Sequence, residues 1–218
     1  MNRLYGTDID QLYTEASSMV NDFLAEEASK LQVSQMVLND VGMTGVASDL
    51  DTIDESMRKL KMMAIATVGI VIALKVFAQH VKSKTEMEDE KKSSIKVSDA
   101  SMKKIDTAID AAAKAAEKVS AMKNAMIEDL KEKRAAYKER EALIKKYGEG
   151  DPQYDTQLKK LKDDIKATSS KYKAEADKAE RLYDDAFKFA KELIIKNGSE
   201  KDMNILMNKA GNVKDIKM

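Results

Sequence analysis

The sequence predicts an all-α protein, an elongated helical bundle dominated by a long antiparallel coiled-coil hairpin, and three observations carry that prediction. Among 218 residues there are eight glycines, one proline and no tryptophan, while 35% of the residues are charged and the apolar share rests mainly on Ala, Leu, Ile and Met. Such a composition suits long helices and starves sheets and turns. Apolar residues recur at three and four positions over most of the chain, the spacing of one helical face. Finally, Gly148-Glu149-Gly150-Asp151-Pro152 separates two such runs, about 98–147 and 152–196, and so short a turn makes antiparallel neighbours of them.

The first element expected is an amphipathic helix over 8–38, opened by Thr7 with Asp10 three residues on. Ile9, Leu12, Ala16, Met19, Val20, Phe23, Leu24, Ala28 and Leu31 form its apolar stripe. Gly42 and Gly45 then break the pattern and let the chain reverse. Ser48, with Asp51 after it, is expected to start a second helix that runs through His80 to about Glu90.

In that helix the apolar face, set by Leu50, Ile53, Met57 and Leu60, widens from Met62 until it covers the whole circumference. Met62 to Ala78 is interrupted only by Lys75, and a segment apolar all round has to be hidden. Seventeen residues make about 25 Å of helix against a hydrocarbon core of roughly 30 Å, so a bilayer and a protein core both remain open. Ile65, Val68, Ile70, Val71, Ile72, Leu74 and Phe77 are the side chains expected to enter a membrane or an assembly. Lys75 would cost about 2.5–3.5 kcal/mol at mid-bilayer but lies near one end, where it can snorkel. Basic residues flank both sides (Arg58, Lys59, Lys61; Lys82, Lys84, Lys91, Lys92) and set no orientation. Met57 onward has the outline of a secretory signal, but the helical pattern upstream argues that it lies within the protein.

After a charged connection near residue 95, taken as the boundary between an N-terminal segment 1–95 and a hairpin segment 96–218, the third helix is expected from Ser98 or Asp99 to Tyr147. Seven-residue series run along it from Met102 to Ile144 and from Ile105 to Tyr147. The fourth helix, Pro152 to about Lys196, carries the series Leu158, Ile165, Tyr172, Ala179, Ala186, Leu193 and Tyr154, Leu161, Thr168, Glu175, Leu182, Phe189. Folding about residue 150 pairs positions whose numbers add to about 300. Lys123 and Glu175, each a break in its own stripe, then fall within about a turn of one another and are expected to fix the hairpin register. Gly198 ends the helix, and Ser199 with Asp202 starts a short last one through Met203, Ile205, Leu206 and Met207.

No catalytic, cofactor or metal site is expected. There are no cysteines, His80 is the single histidine, and the acidic clusters alternate with lysines in the manner of solvated faces. Glycine-rich phosphate loops and hydrolase motifs are missing from the sequence. Net charge is zero, with eleven acids against five bases in residues 1–61, and basic residues are interleaved with acidic ones rather than gathered for nucleic acid.

The general build, long charged coiled-coil helices carrying one apolar segment, is similar to that of helical pore-forming toxins and of translocator subunits from bacterial injection systems. The resemblance covers the outline and no motif, so it assigns no residue a role. The expectation is a non-enzymatic, self-assembling protein whose apolar helix enters a membrane or an oligomer core, as a pore, translocator or filament subunit. The alternative is a coiled-coil scaffold anchored permanently by the same helix. Expected partners are further copies of the chain and a membrane, with no small-molecule substrate; the expected location is membrane-associated, or secreted without an N-terminal signal.

Overall fold

The computed structural model describes residues 46–89 and 99–211. The helix expected over 8–38, the Gly42–Gly45 reversal, the connection near residue 95 and the polar tail lie outside the described residues. Those described are 95% helical, without a strand, and form a bundle of long helices packed against each other. The helices are α1 Ala47–Asp89, α2 Asp99–Tyr147, α3 Pro152–Asn197 and α4 Glu200–Lys209.

Local chemistry explains where they stop and start. Gly148 and Gly150 take φ of +71° and +95°, the left-handed region that a side chain resists, and the Gly148 N–H donates to the Ile144 carbonyl at 3.1 Å to close α2. Asp151 then caps α3, its Oδ1 accepting from the Gln153 N–H at 2.7 Å, and Pro152 fills a first-turn position that needs no N–H. One end differs from expectation. Ser48 lies inside α1 rather than ahead of it, and its carbonyl accepts from Thr52 Oγ1 at 2.8 Å.

By compactness the described residues fall into two units, and each long helix contributes to both. One unit takes 47–61 of α1 with 121–178, the hairpin turn included. Leu50, Ile53, Met57 and Leu60 are buried there, as their spacing predicts, and Lys59 Nζ reaches Asp177 Oδ1 at 2.8 Å to tie α1 to α3. The polar contacts between α2 and α3 in this unit set their register. Tyr172 donates its hydroxyl to the Met126 carbonyl and to Asp129 Oδ2, both at 3.1 Å, and Lys171 Nζ lies 3.1 Å from Asp129 Oδ1. Tyr137 meets the Thr168 hydroxyl at 2.9 Å, and Arg140 Nη1 donates to Asp164 Oδ2 at 2.6 Å. All these pairs have numbers adding to between 298 and 305, the offset that folding about residue 150 requires.

Two expectations concern how α2 meets α3. Lys123 and Glu175 form no ion pair or hydrogen bond among the described residues; Glu175 Oε2 lies 3.8 Å from Lys178 Nζ, its neighbour one turn along the same helix. A half-exposed carboxylate loses less rotamer freedom reaching i+3 than crossing to a partner helix, and register falls to Tyr137, Arg140 and Tyr172 instead. Burial follows one seven-residue series on each helix, Ile105, Ala112, Val119 and Met126 on α2 and Ile165, Tyr172, Ala179 and Leu193 on α3, but it leaves the second series on α3 at Glu175, Leu182 and Phe189. Leu161, Tyr172, Tyr183 and Ile194 are buried at intervals of eleven, as are Thr168, Ala179 and Ala190, whereas Phe189 is 42% exposed. A strict seven-residue repeat drifts about 20° per repeat around a straight helix, and the four repeats from Leu161 to Phe189 carry the latter roughly 80° off the face. An eleven-residue repeat matches 3.67 residues per turn and stays on it; on α2, Ala108, Val119 and Leu130 do the same.

Tyr172 supplies a direct test of the register contacts. Burial, followed by the nearby Asp129 carboxylate, pushes its hydroxyl well above the ordinary phenol range, so it remains a donor at all moderate pH. Tyr172→Phe leaves the Met126 carbonyl and Asp129 without that donor, and chemical denaturation should show a loss of about 1–2 kcal/mol with an unchanged m-value.

Candidate functional site

The second unit holds 62–89 of α1, 99–120 of α2, 179–197 of α3, and α4. The apolar segment runs through it, and the fold covers that segment unevenly. Ile70 and Leu74 are fully buried, Phe77 is 1% exposed and Ile72 is buried, whereas Ile65, Val68, Val71 and Lys75 are half-buried; none of the seventeen residues from Met62 to Ala78 is fully exposed. Burying side chains of the size of Phe77, Ile70 and Leu74 stabilises by about 1.5–3 kcal/mol each, so this segment anchors the unit's core. Thr67, its one hydroxyl, is buried and donates back to the Met63 and Ala64 carbonyls at 2.9 and 3.0 Å. That leaves it satisfied within its own helix, in protein or in lipid alike.

α4 lies antiparallel along this segment. Its N-cap, Ser199, forms a capping box: Ser199 N–H donates to Asp202 Oδ2 at 2.8 Å, Ser199 Oγ to the same oxygen at 2.6 Å, and the Asp202 N–H returns to Ser199 Oγ at 3.4 Å. The other carboxylate oxygen accepts from His80 Nδ1 at 2.6 Å. Asp202 is only 3% exposed. Burial by itself would raise its pKa, but the hydrogen bonds from Ser199 and His80 outweigh that and hold the carboxyl below its ordinary value. Just before the cap, a Cβ placed on Gly198 would stand 3.0 Å from the Phe77 ring.

At the far end of α4 the contact becomes backbone to backbone. A Cβ placed on Gly69 would stand 2.8 Å from the carbonyl carbon of Lys209 and nearer still to its oxygen, so glycine is required for α4 to sit there. The Ala210 carbonyl accepts from the buried Tyr183 hydroxyl at 2.8 Å, and Tyr183 stacks on Phe187 with ring centroids 5.6 Å apart. Burial, with Asp184 adding to it, pushes the Tyr183 hydroxyl up to about 12 and keeps it a donor. Ten residues of α4 span about 15 Å, close to the roughly 16.5 Å along α1 from Gly69 to His80. Leu206, fully buried, faces inward between the two ends.

No protein-family model, curated protein or solved structure matches this chain. The functional reading therefore rests on the geometry alone. Among the described residues no three His, Asp or Glu side chains gather as metal ligands. The polar groups at this site hold helices together: each hydrogen bond of Asp202, His80, Ser199 and Tyr183 described above ends on another helix or a cap. Sequence reasoning picked out the seven apolar side chains but missed Gly69 and the His80–Asp202 contact. Gly69, the lone glycine inside the apolar run, was the available signal for a close backbone approach.

Proposed function

We propose that the chain is a non-enzymatic helical subunit whose apolar helix, sheltered by its own bundle in solution, leaves it to enter a bilayer together with further copies, in the manner of a pore-forming or translocator subunit. The observation behind this reading is the pairing of two properties in one segment. The stretch Ala47–Ser83 is long and apolar enough to cross a membrane, yet its most apolar window is 67% buried inside a strongly charged bundle. Permanent anchoring fits less well, because bases that would meet lipid headgroups are engaged with protein: Arg58 pairs with Asp54 and Lys59 with Asp177. The second reading is a soluble bundle in which α1 is simply the core helix, and the extent of its burial favours that reading.

Val71 separates the two. It lies near the middle of the apolar segment and is half-buried, so a lysine there can keep its ammonium in water while the bundle stays folded. In a bilayer the same lysine sits near the midplane at a cost of about 2.5–3.5 kcal/mol. Vesicle flotation of detergent-free protein, with unfolding curves run alongside, should find Val71→Lys folded but binding vesicles on the order of a hundredfold less than the parent. Equal binding by the variant rejects insertion of this helix. A parent chain that stays monomeric and ignores vesicles of any composition establishes the core-helix reading instead.

A further inference from the structure

We propose that α4 is a strap that governs access to the apolar helix: it must swing off α1 before residues 62–78 can leave the bundle, and its seat is built to be given up as one piece. This rests on the membrane-entry reading above and names the element that controls it. Three features set α4 apart from the long helices. It is ten residues long, too short to persist as a helix without a surface to lie on. It joins α3 through only Gly198 and Ser199, at a point where α3 is already closed by the Gly198 N–H donating to the Ile194 carbonyl at 2.7 Å. α3 therefore keeps its own backbone hydrogen bonds when α4 departs and gives up only that of the Tyr183 hydroxyl to Ala210.

The seat itself is held at two points. At one end His80 reaches Asp202, and at the other the Lys209 carbonyl rests on Gly69 while Tyr183 holds the Ala210 carbonyl. Between them lies Leu206, fully buried, and Phe77 of α1 stands against the Gly198 turn. Polar latches at the ends of a short apolar contact let go together: once either end lifts, the other is exposed to water, which competes for the same hydrogen bonds. The face then uncovered is the one that carries Gly69 and His80, which no bilayer can reach while the strap is down.

The absence of cysteine makes the test direct. Lys82 and Lys201 are exposed and lie near the His80–Asp202 end, so spin labels on K82C/K201C report strap position by their distance, without lipid. Gly69→Val, made in the full chain, should convert a single short distance into a broad, longer one and raise dye release from vesicles of phosphatidylcholine and phosphatidylglycerol at least tenfold. In a second variant, H80C/D202C, a reducible bis-maleimide bridge should hold release at the parent's level, and reduction should raise it tenfold. That pair decides the matter should Gly69→Val fail to fold. A Gly69→Val strap that stays seated, or bridged protein that leaks as fast as reduced, overturns the strap while leaving membrane entry standing. A strap open by distance with vesicles intact in both variants overturns membrane entry and the strap's role with it.

Discussion

Phe77→Ala is expected to lower the midpoint of thermal unfolding by roughly 10 °C, the largest effect of any single apolar truncation in the segment. Phe77 is 1% exposed, and its ring lies against the Gly198 turn. Removing a ring from such a site loses its transfer free energy and leaves a cavity that long, mutually braced helices cannot close, at about 3–5 kcal/mol. For a chain of this size each kcal/mol moves the midpoint about 2–4 °C. Ile195→Ala, on a residue 65% exposed, serves as the matched control and should stay within about 0.5 kcal/mol of the parent. Calorimetry or circular dichroism on detergent-free protein gives both numbers. A Phe77→Ala midpoint indistinguishable from that of Ile195→Ala would mean that the apolar helix is not the core of the folded chain in water. The sheltered state from which membrane entry is proposed to begin would then not exist.

The helix ends and the hairpin register were legible because the chemistry that sets them is local. Gly148, Asp151 and Pro152 act within one turn of the chain, and so do Ser199 and Asp202; once the turn is placed, the offset of α2 on α3 follows. The packing period was legible in part. Ile105, Ala112, Val119 and Met126 keep to a repeat of seven, whereas the series that ends at Phe189 drifts off the buried face, a difference that shows only over the length of helices such as these. Lys123 and Glu175 looked paired because each interrupts an apolar series, but Lys178 offers Glu175 a partner on its own helix. The seven side chains of the apolar segment were found by composition. What covers them was not, because His80 and Asp202 stand 122 residues apart and nothing near either one names the other.

That distant pair carries the second large prediction. Asp202→Ala removes a buried acceptor from three donors at once, Ser199 N–H, Ser199 Oγ and His80 Nδ1. Loss of the cap costs about 1 kcal/mol, and partly buried donors left without acceptors add to it, for about 2–4 kcal/mol in all. The pH dependence has a definite sign. Because the folded-state pKa of Asp202 is lowered, the carboxylate's contribution is complete above the ordinary unfolded value of about 3.9 and is lost as pH falls through the lower folded value. The stability difference between the parent and Asp202→Asn should therefore be flat from pH 7 down to 5 and vanish only in stronger acid. With the Asp202 carboxylate ionised over that range, α4 should stay seated, and its release would need a surface or partner that binds α1 more tightly than α4 does. Denaturant titrations of the parent and both variants between pH 3 and 7 measure this. A difference that shrinks between pH 7 and 5 would show that the folded chain does not hold the Asp202 carboxyl below its ordinary value.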